Sequence, residues 1–219
     1  MKVLIACEES QTVCKAFRQK GHEAFSCDIK PATGGHPNWH YQVDVFEIIN
    51  EGWDLMIAHP PCTYLTIAAN KWLNDLPVRK SGILVGHERK LEREKAVHFI
   101  LKLLQADIPK ICIENPVGYL STVYRKPDQI IHPYYFGDPT TKKTCLWLKN
   151  LPKLIWSDCN TLFEEKTTVE PIFYTTIGGR KISMWSQIEA CKIRDREERS
   201  TFRSKTFPGI AAAMADQWG

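Results

Sequence analysis

The sequence contains no apolar run of the roughly 20 residues that a membrane span requires, so no membrane partner is expected. Its opening, MKVLIACEES, does not read as a secretory signal, because the apolar stretch is short and acids follow at once. Internal repeats and low-complexity segments are absent. So is any Cys-x-x-Cys pair. The eight cysteines (Cys7, Cys14, Cys27, Cys62, Cys112, Cys145, Cys159 and Cys191) are scattered, which argues against a zinc site, and no metal is expected. A chain of 219 residues needs no disulfide staples, so reduced thiols in a cytoplasm fit best. Neither sign of charge dominates. A net charge of +4 permits nucleic-acid binding without demanding it.

What is present is an ordinary globular composition, with 43% apolar and 25% charged residues, in a length that suits one domain with a small appendage. The first half alternates strand and helix signals. KVLIAC (Lys2–Cys7) is a short buried-strand run. A helix follows, with Ser10 as its expected N-cap, Val13, Ala16 and Phe17 on one face, and Gly21 as its stop. His22–Ile29 and WDLMIAHP read as further strands, the second ended by its prolines. The charged stretch Leu73 to Lys95 runs into an amphipathic helix with Leu91, Val97, Ile100, Leu101 and Leu104 on its apolar side. Ile108–Pro116 is another strand stopped by proline. This alternation predicts a doubly wound α/β sheet. Beyond Pro116, QIIHPYYF and TCLWLKN look like strands, TTIGGRK like a hairpin turn, and PGIAAAMADQW like a short helix.

In open α/β sheets, ligands bind beyond the carboxyl ends of the strands. Those ends carry ACEESQ, Asp28, Asp44, HPPC and ENP. Asp28 lies roughly 20 residues past the first strand-helix turn, where an acid can accept hydrogen bonds from ribose hydroxyls; it can equally be a turn or cap residue. Asp44 can simply end a strand. Cys62 is either a buried structural cysteine or a thiol aimed by two prolines. Glu114, directly after the apolar ICI, must reach a cavity, a partner or water, unless it and Asn115 form a cap.

These residues, in this order, resemble the DNA cytosine-5 methyltransferase family, most closely its short phage or prophage members. HPPC resembles the family's Pro-Cys motif and ENP its Glu-Asn-Val motif. SKTFPGIAAAMADQW sits where the family has its last motif, and TTKKTCLWL where it has a Gln-x-Arg-x-Arg strand. The resemblance spans Met1–Ile155 and about the last 16 residues. It implies a Rossmann-like S-adenosylmethionine-dependent methyltransferase fold, acting on DNA in a bacterial or phage-infected cytoplasm. The implied parts are a cofactor-binding catalytic core at 1–150, a reduced target-recognition-like insertion at 151–203 and a returning helix at 204–219. Cys62 would attack carbon 6 of cytosine, and Glu114 would contact N3 and the exocyclic amine. Asp28 would hold the cofactor ribose and Asp44 the adenine, with Glu8, Glu9, Ser10, Pro60 and Ala211 completing the cofactor site. Pro61, Thr63, Asn115, Lys142 and Lys143 would face the substrate, and a duplex would have to expose its base by flipping.

Several positions depart from the pattern. The family's first motif is glycine-rich, whereas ACEESQ has no glycine, so Glu8 or Glu9 is expected to meet the methionine amino group. Thr63 stands for the usual glutamine, and Lys143 and Cys145 for the two arginines. Lysine lacks the planar fork of arginine. Only about 50 residues, Leu151 to Thr201, remain for target recognition, which implies low specificity, a very short target or a partner subunit. Arg180, Lys181, Lys192, Arg194, Arg196, Arg199, Arg203 and Lys205, near Trp185, could contact phosphates, or form an exposed helix diluted by Glu189, Asp195, Glu197 and Glu198. TIAANKWLNDLPVRKSGILVGHERK has the length of a closing loop, with Arg79, Lys80, Arg89 and Lys90 for phosphates and Gly82 and Gly86 for movement; Ile67 to Leu76 also reads as a plain helical insertion. Three other functions stay open: methylation of a base amino group, action on a nucleotide or RNA, and a degenerate fold that binds DNA or a partner without catalysis.

Overall fold

The computed structural model describes residues 1–74, 83–158, 166–183 and 192–219. Arg79, Lys80, Gly82, Trp185 and Glu189 lie outside them. Strands β1 (Lys2–Ala6), β2 (Glu23–Cys27), β3 (His40–Tyr41), β4 (Leu55–Ala58), β5 (Lys110–Pro116), β6 (Gln129–Ile131) and β7 (Thr144–Lys149) form one sheet. Its order is β3-β2-β1-β4-β5-β7-β6. The first five strands pair in parallel, and β7 runs antiparallel to both β5 and β6. This is a doubly wound, Rossmann-like α/β sheet, mostly parallel with one reversed strand near the edge.

The strands are continuous apolar runs because both faces are covered. Alternate residues serve two cores. Val3, Ile5, Leu55, Ile57 and Leu146 pack with α1 (Thr12–Gln19) and with the C-terminal helix, which spans Pro208–Trp218. Leu4, Ala6, Met56, Ala58, Ile111, Ile113 and Trp147 pack with α2 (Val45–Ile48), α3 (Gly86–Leu104) and α4 (Leu120–Val123). Each fully buried Leu or Ile contributes about 1.5–3 kcal/mol. Among the described residues the remaining α-helices are α5 (Arg196–Ser204) and α6, the Pro208–Trp218 helix. An ion pair from Lys20 to Asp216 joins α1 to α6.

Three local expectations change. Ser10 does not cap α1. Gln11 takes the cap position in a left-handed conformation (φ 57°), and the Glu8 carboxylate accepts the N–H groups of Val13 and Cys14 at 2.7 and 3.2 Å. A charged carboxylate at a helix N-terminus is a stronger acceptor than a serine hydroxyl. The apolar side of α3 begins later than expected. Leu91 is exposed, and Ile100 and Leu103 form the buried line, flanked by Ala96, Val97, Phe99 and Leu104. In QIIHPYYF only Gln129–Ile131 is strand, and Pro133–Phe136 turns into a 3₁₀ helix. The expected hairpin at TTIGGRK forms between β8 (Phe173–Thr175) and β9 (Lys181–Ser183).

Candidate active site

Strands β1, β4 and β5 lie side by side and in register, Ala6 opposite Ala58 and Ala58 opposite Ile113. The residues that follow them therefore emerge at one edge. His59 N–H still bonds the Ala6 carbonyl at 2.9 Å, and the chain then leaves the sheet through Pro60 and Pro61. Asn115 on β5 donates its side-chain N–H to the Pro60 carbonyl at 3.0 Å. The carbonyl of Cys62 accepts from Leu65 and Thr66 N–H at 3.0 and 3.2 Å, closing a tight turn. Buried Arg89 donates to the Thr63 and Leu84 carbonyls, both at 3.2 Å, and lies over the Tyr64 ring. Arg89 thus supports the cysteine turn instead of waiting for a phosphate. The prolines do not act alone: β5 grips the turn on one side and α3 on the other.

Cys62 is half-buried, and charged groups as well as apolar ones surround its thiol. Burial pushes its thiol pKa up, and the negative charge of Glu114 adds to that; Lys142 and Arg203 pull the other way without reversing it. Glu114 is paired with His59, Oε2 to Nδ1 at 3.0 Å, with side-chain exposures of 11% and 7%. Burial alone would raise the Glu114 carboxyl, but the His59 hydrogen bond and the Lys142 charge outweigh it and hold it below the usual carboxylate range. Thr206, just before α6, brings its hydroxyl to 3.4 Å from the same His59 nitrogen. Lys142 donates to the Arg203 carbonyl at 3.3 Å. The segment between α5 and α6 therefore lies against the strand tips. His59, Thr206, Arg203 and Arg89 are the residues here to which the sequence motifs assigned no such place.

The tip of β1 carries the cofactor candidates. Cys7 and Gln11 adopt φ of 58° and 57°, the left-handed conformation that glycine takes most readily. The turn thus has a glycine-like backbone without a glycine. Its neighbour is the stretch after β2: Thr33 N–H bonds the Glu9 carbonyl at 2.7 Å, and the Gln11 amide exchanges hydrogen bonds with the His36 backbone at 2.8 and 3.0 Å. Glu9 is buried, with Oε1 unpartnered among the described residues. Its carboxyl is pushed up, chiefly by burial, while the charges of Lys205 and Lys30 oppose this and that of Asp28 reinforces it. Ser10 lies near Thr12 and Glu8, at 3.2 and 3.5 Å. Asp28 accepts from Lys30 N–H at 2.9 Å. Burial pushes the Cys7 thiol up, and the charges of Asp28 and Asp44 add to it.

Asp44 is also the N-cap of α2, accepting from Phe46 N–H at 3.0 Å while Glu47 reaches back to the Asp44 N–H at 3.2 Å. Asp44→Ala is expected to cost about 1 kcal/mol and Asp44→Asn almost nothing, because asparagine caps equally well; urea denaturation checks both.

The other candidates are dispersed. Pro60 is buried, Pro61 and Thr63 are exposed, and Lys143 is exposed beside half-buried Lys142. Ala211, at 1% exposure, is buried in the α1-side core and offers no surface to a ligand. Cys145, standing where the family has an arginine, is buried in the core on the α3 side of the sheet.

No family model matches the sequence, and no curated protein matches it. Among solved structures, one from E. coli, described provisionally as a DNA modification methyltransferase encoded within a prophage, is 16% identical, with a TM-score of 0.39. The match covers 71% of this chain and 49% of that one, so this chain spans about half the length of the structure it matches.

Proposed function

We propose that this chain is an S-adenosylmethionine-dependent methyltransferase that transfers a methyl group to carbon 5 of cytosine in DNA through a covalent adduct of Cys62. One observation carries this reading. A half-buried thiol on the β4 tip and a buried, anionic carboxylate on the β5 tip, Cys62 and Glu114, lie within electrostatic reach of each other and of Lys142. A pyrimidine needs that pairing of a sulfur at one edge and an acceptor at the other.

The chemistry balances on these residues. The Cys62 sulfur forms a bond to carbon 6, and the electron pair of the 5,6 double bond moves into the ring. The thiol is protonated at rest, so addition releases a proton, and N3 of the ring gains one. Anionic Glu114 accepts the hydrogen bond of the protonated N3 and that of the exocyclic amine, which favours the adduct. Carbon 5 is then an enamine carbon and nucleophilic. S-Adenosylmethionine, when bound, would supply an electrophilic methyl group on a sulfonium; loss of the carbon-5 proton to solvent and departure of the Cys62 sulfur from carbon 6 would then restore the 5,6 double bond. The residues present fit such a ligand: the unpartnered Glu9 Oε1 suits its ammonium, and Asp28 and Asp44 suit its ribose and adenine.

Support for DNA as substrate comes from the same edge. The loop before β7 carries Lys142 and is tied to the β8–β9 hairpin by Thr140 to Ser183, 2.8 Å, and by Ile172 N–H to the Pro139 carbonyl, 2.9 Å. That hairpin exposes Phe173, Tyr174 and Ile177 beside Arg180 and Lys181, a pairing of apolar and cationic groups suited to bases and phosphates. In this reading residues 1–150 are the catalytic core, 151–203 a reduced target-recognition element and 204–219 the returning helix, and a partner subunit can extend recognition.

The test is transfer of labelled methyl from S-adenosylmethionine to DNA, with the product resolved by mass spectrometry. 5-Methylcytosine is expected. An amino-methylated base, or transfer to mononucleotides in preference to DNA, would replace this reading, and DNA binding without transfer would make the chain a non-catalytic binder.

A further inference from the structure

The sheet order places β4 between β1 and β5, so the first residue beyond β4 stands between the first acids beyond or at the end of its neighbours. That residue is His59. Glu114 accepts from it on the β5 side, and the Glu8 carboxyl feels its charge on the β1 side. Among the described residues, the titratable and charged groups coupled to this cluster are Glu8 and Glu9 in the turn before α1, Cys112 and Glu114 on β5, Cys145 on β7, Lys142 before β7, Arg203 in α5 and Cys62 in its own turn; the Thr206 hydroxyl, before α6, lies beside the ring. The ring is nearly enclosed, and Nε2 is buried without a partner among the described residues.

A carboxylate enclosed as Glu114 is costs several kcal/mol unless a donor and a countercharge meet it. His59 meets one oxygen only. The Nδ1 bond goes to Oε2. We propose that His59 is the positioning residue of this site: by donating Nδ1–H to Oε2 it keeps Glu114 anionic and turns Oε1 toward the cytosine edge. This inference rests on the cytosine-5 reading and adds to it a residue that touches no reacting atom. Glu8 flanks the ring from the far side; burial pushes its carboxyl up, and the charge of His59 opposes that. The carboxylate of Glu8 is itself fixed by Val13 and Cys14 N–H, so it cannot swing away to another partner.

The consequence is a pH dependence with a definite sign. Glu114 must be ionised to accept from protonated N3. With His59 present its carboxyl titrates below the usual range, so that condition holds through mildly acid pH. Without His59 only the Lys142 charge is left to oppose burial, so the carboxyl titrates higher and the acid limb of the reaction moves up in pH.

The experiment measures exchange of the cytosine carbon-5 hydrogen of DNA with deuterated solvent, from pH 5 to 9, without a methyl donor. Exchange needs only addition at carbon 6, protonation at carbon 5, loss of the original hydrogen and elimination. His59→Ala should move the acid limb up by about one pH unit or more, and lose roughly tenfold or more at pH 6 with less loss at pH 8. His59→Asn, whose amide can stand near the place of Nδ1, should lie between. The Michaelis constant for DNA should hardly move. A uniform loss at all pH values, or an unshifted limb, overturns the proposal. Carboxyl carbon NMR of Glu114 tests the same point independently of turnover: its titration must rise in His59→Ala and, by less, in His59→Asn. If it stays where it is in the unaltered protein, the positioning role is refuted even if every variant is active. Exchange that survives in Cys62→Ala sinks the cytosine-5 reading instead, and leaves the NMR titration to decide the role of His59.

Discussion

Replacing Cys62 with alanine is expected to abolish methyl transfer to DNA, by at least ~10⁴-fold, without unfolding the protein. The reason is electronic. Carbon 5 of cytosine is a poor nucleophile until carbon 6 carries a sulfur, and the methyl side chain of alanine cannot form that bond. No second thiol among the described residues is placed to substitute. Among the described residues Cys14, Cys27, Cys112 and Cys145 are buried, and Cys7 lies at the β1 tip with a thiol pushed far above its ordinary pKa. The fold should tolerate the change. Cys62 is half-buried, and its turn is held by Asn115 to Pro60, by Arg89 to Thr63 and by its own carbonyl. None of these bonds uses the sulfur, so a melting shift within the equivalent of about 1 kcal/mol is expected. Labelled-methyl counting and a thermal melt on the same preparation check both halves. Full transfer by the alanine variant would remove the covalent step and favour direct methylation of an amino group.

The strands are legible in the sequence because a strand covered on both faces must be apolar at every position, which is why KVLIAC and ICI stand out. The site is legible in part for a related reason. Acids, a histidine and a thiol directly after such runs have nowhere to go except the carboxyl edge of the sheet. Adjacency across the sheet is what no linear pattern carries. Glu8, His59 and Glu114 are dozens of residues apart in the chain, and only the order β1-β4-β5 makes them neighbours. Arg89 reads as a free cation in the sequence because its partners are backbone carbonyls, Thr63 and Leu84, which carry no residue signature. Ser10 reads as a cap for a similar reason: the competing Glu8 reaches forward five and six residues to its N–H donors, beyond the usual capping spacing. Asp44 shows the limit of motif reading, since one carboxylate both caps α2 and lies close enough to the β1 tip to act on Cys7.

Gly118→Ala should damage both stability and catalysis, although the residue carries no chemistry. It lies just past β5, bridged to Thr66, and its neighbour Tyr119 donates its N–H to the Leu65 carbonyl at 2.8 Å. A Cβ at 118 would overlap the carbonyl oxygen of Leu65 and press on the Cα of Thr66. These are backbone atoms, so no side-chain rotation relieves the clash; one of the two segments must move. Overpacking of this kind costs about 1–3 kcal/mol, and more where the backbone is pinned. The displaced segment is the one that positions the proposed nucleophile, because Leu65 and Thr66 N–H both bond the Cys62 carbonyl. A shift on the order of 1 Å at a reacting atom lowers the rate by roughly 100-fold. Gly178→Ala is the control for stability, since a Cβ there meets nothing within 4 Å, and the unaltered protein is the reference for turnover. Denaturant unfolding and single-turnover methyl transfer give the answer. If Gly118→Ala kept the stability of that control and the turnover of the unaltered protein, the seat of residues 65–66 against 118–119 would not be what aims the thiol, and that role would fall to Asn115 and Arg89 alone.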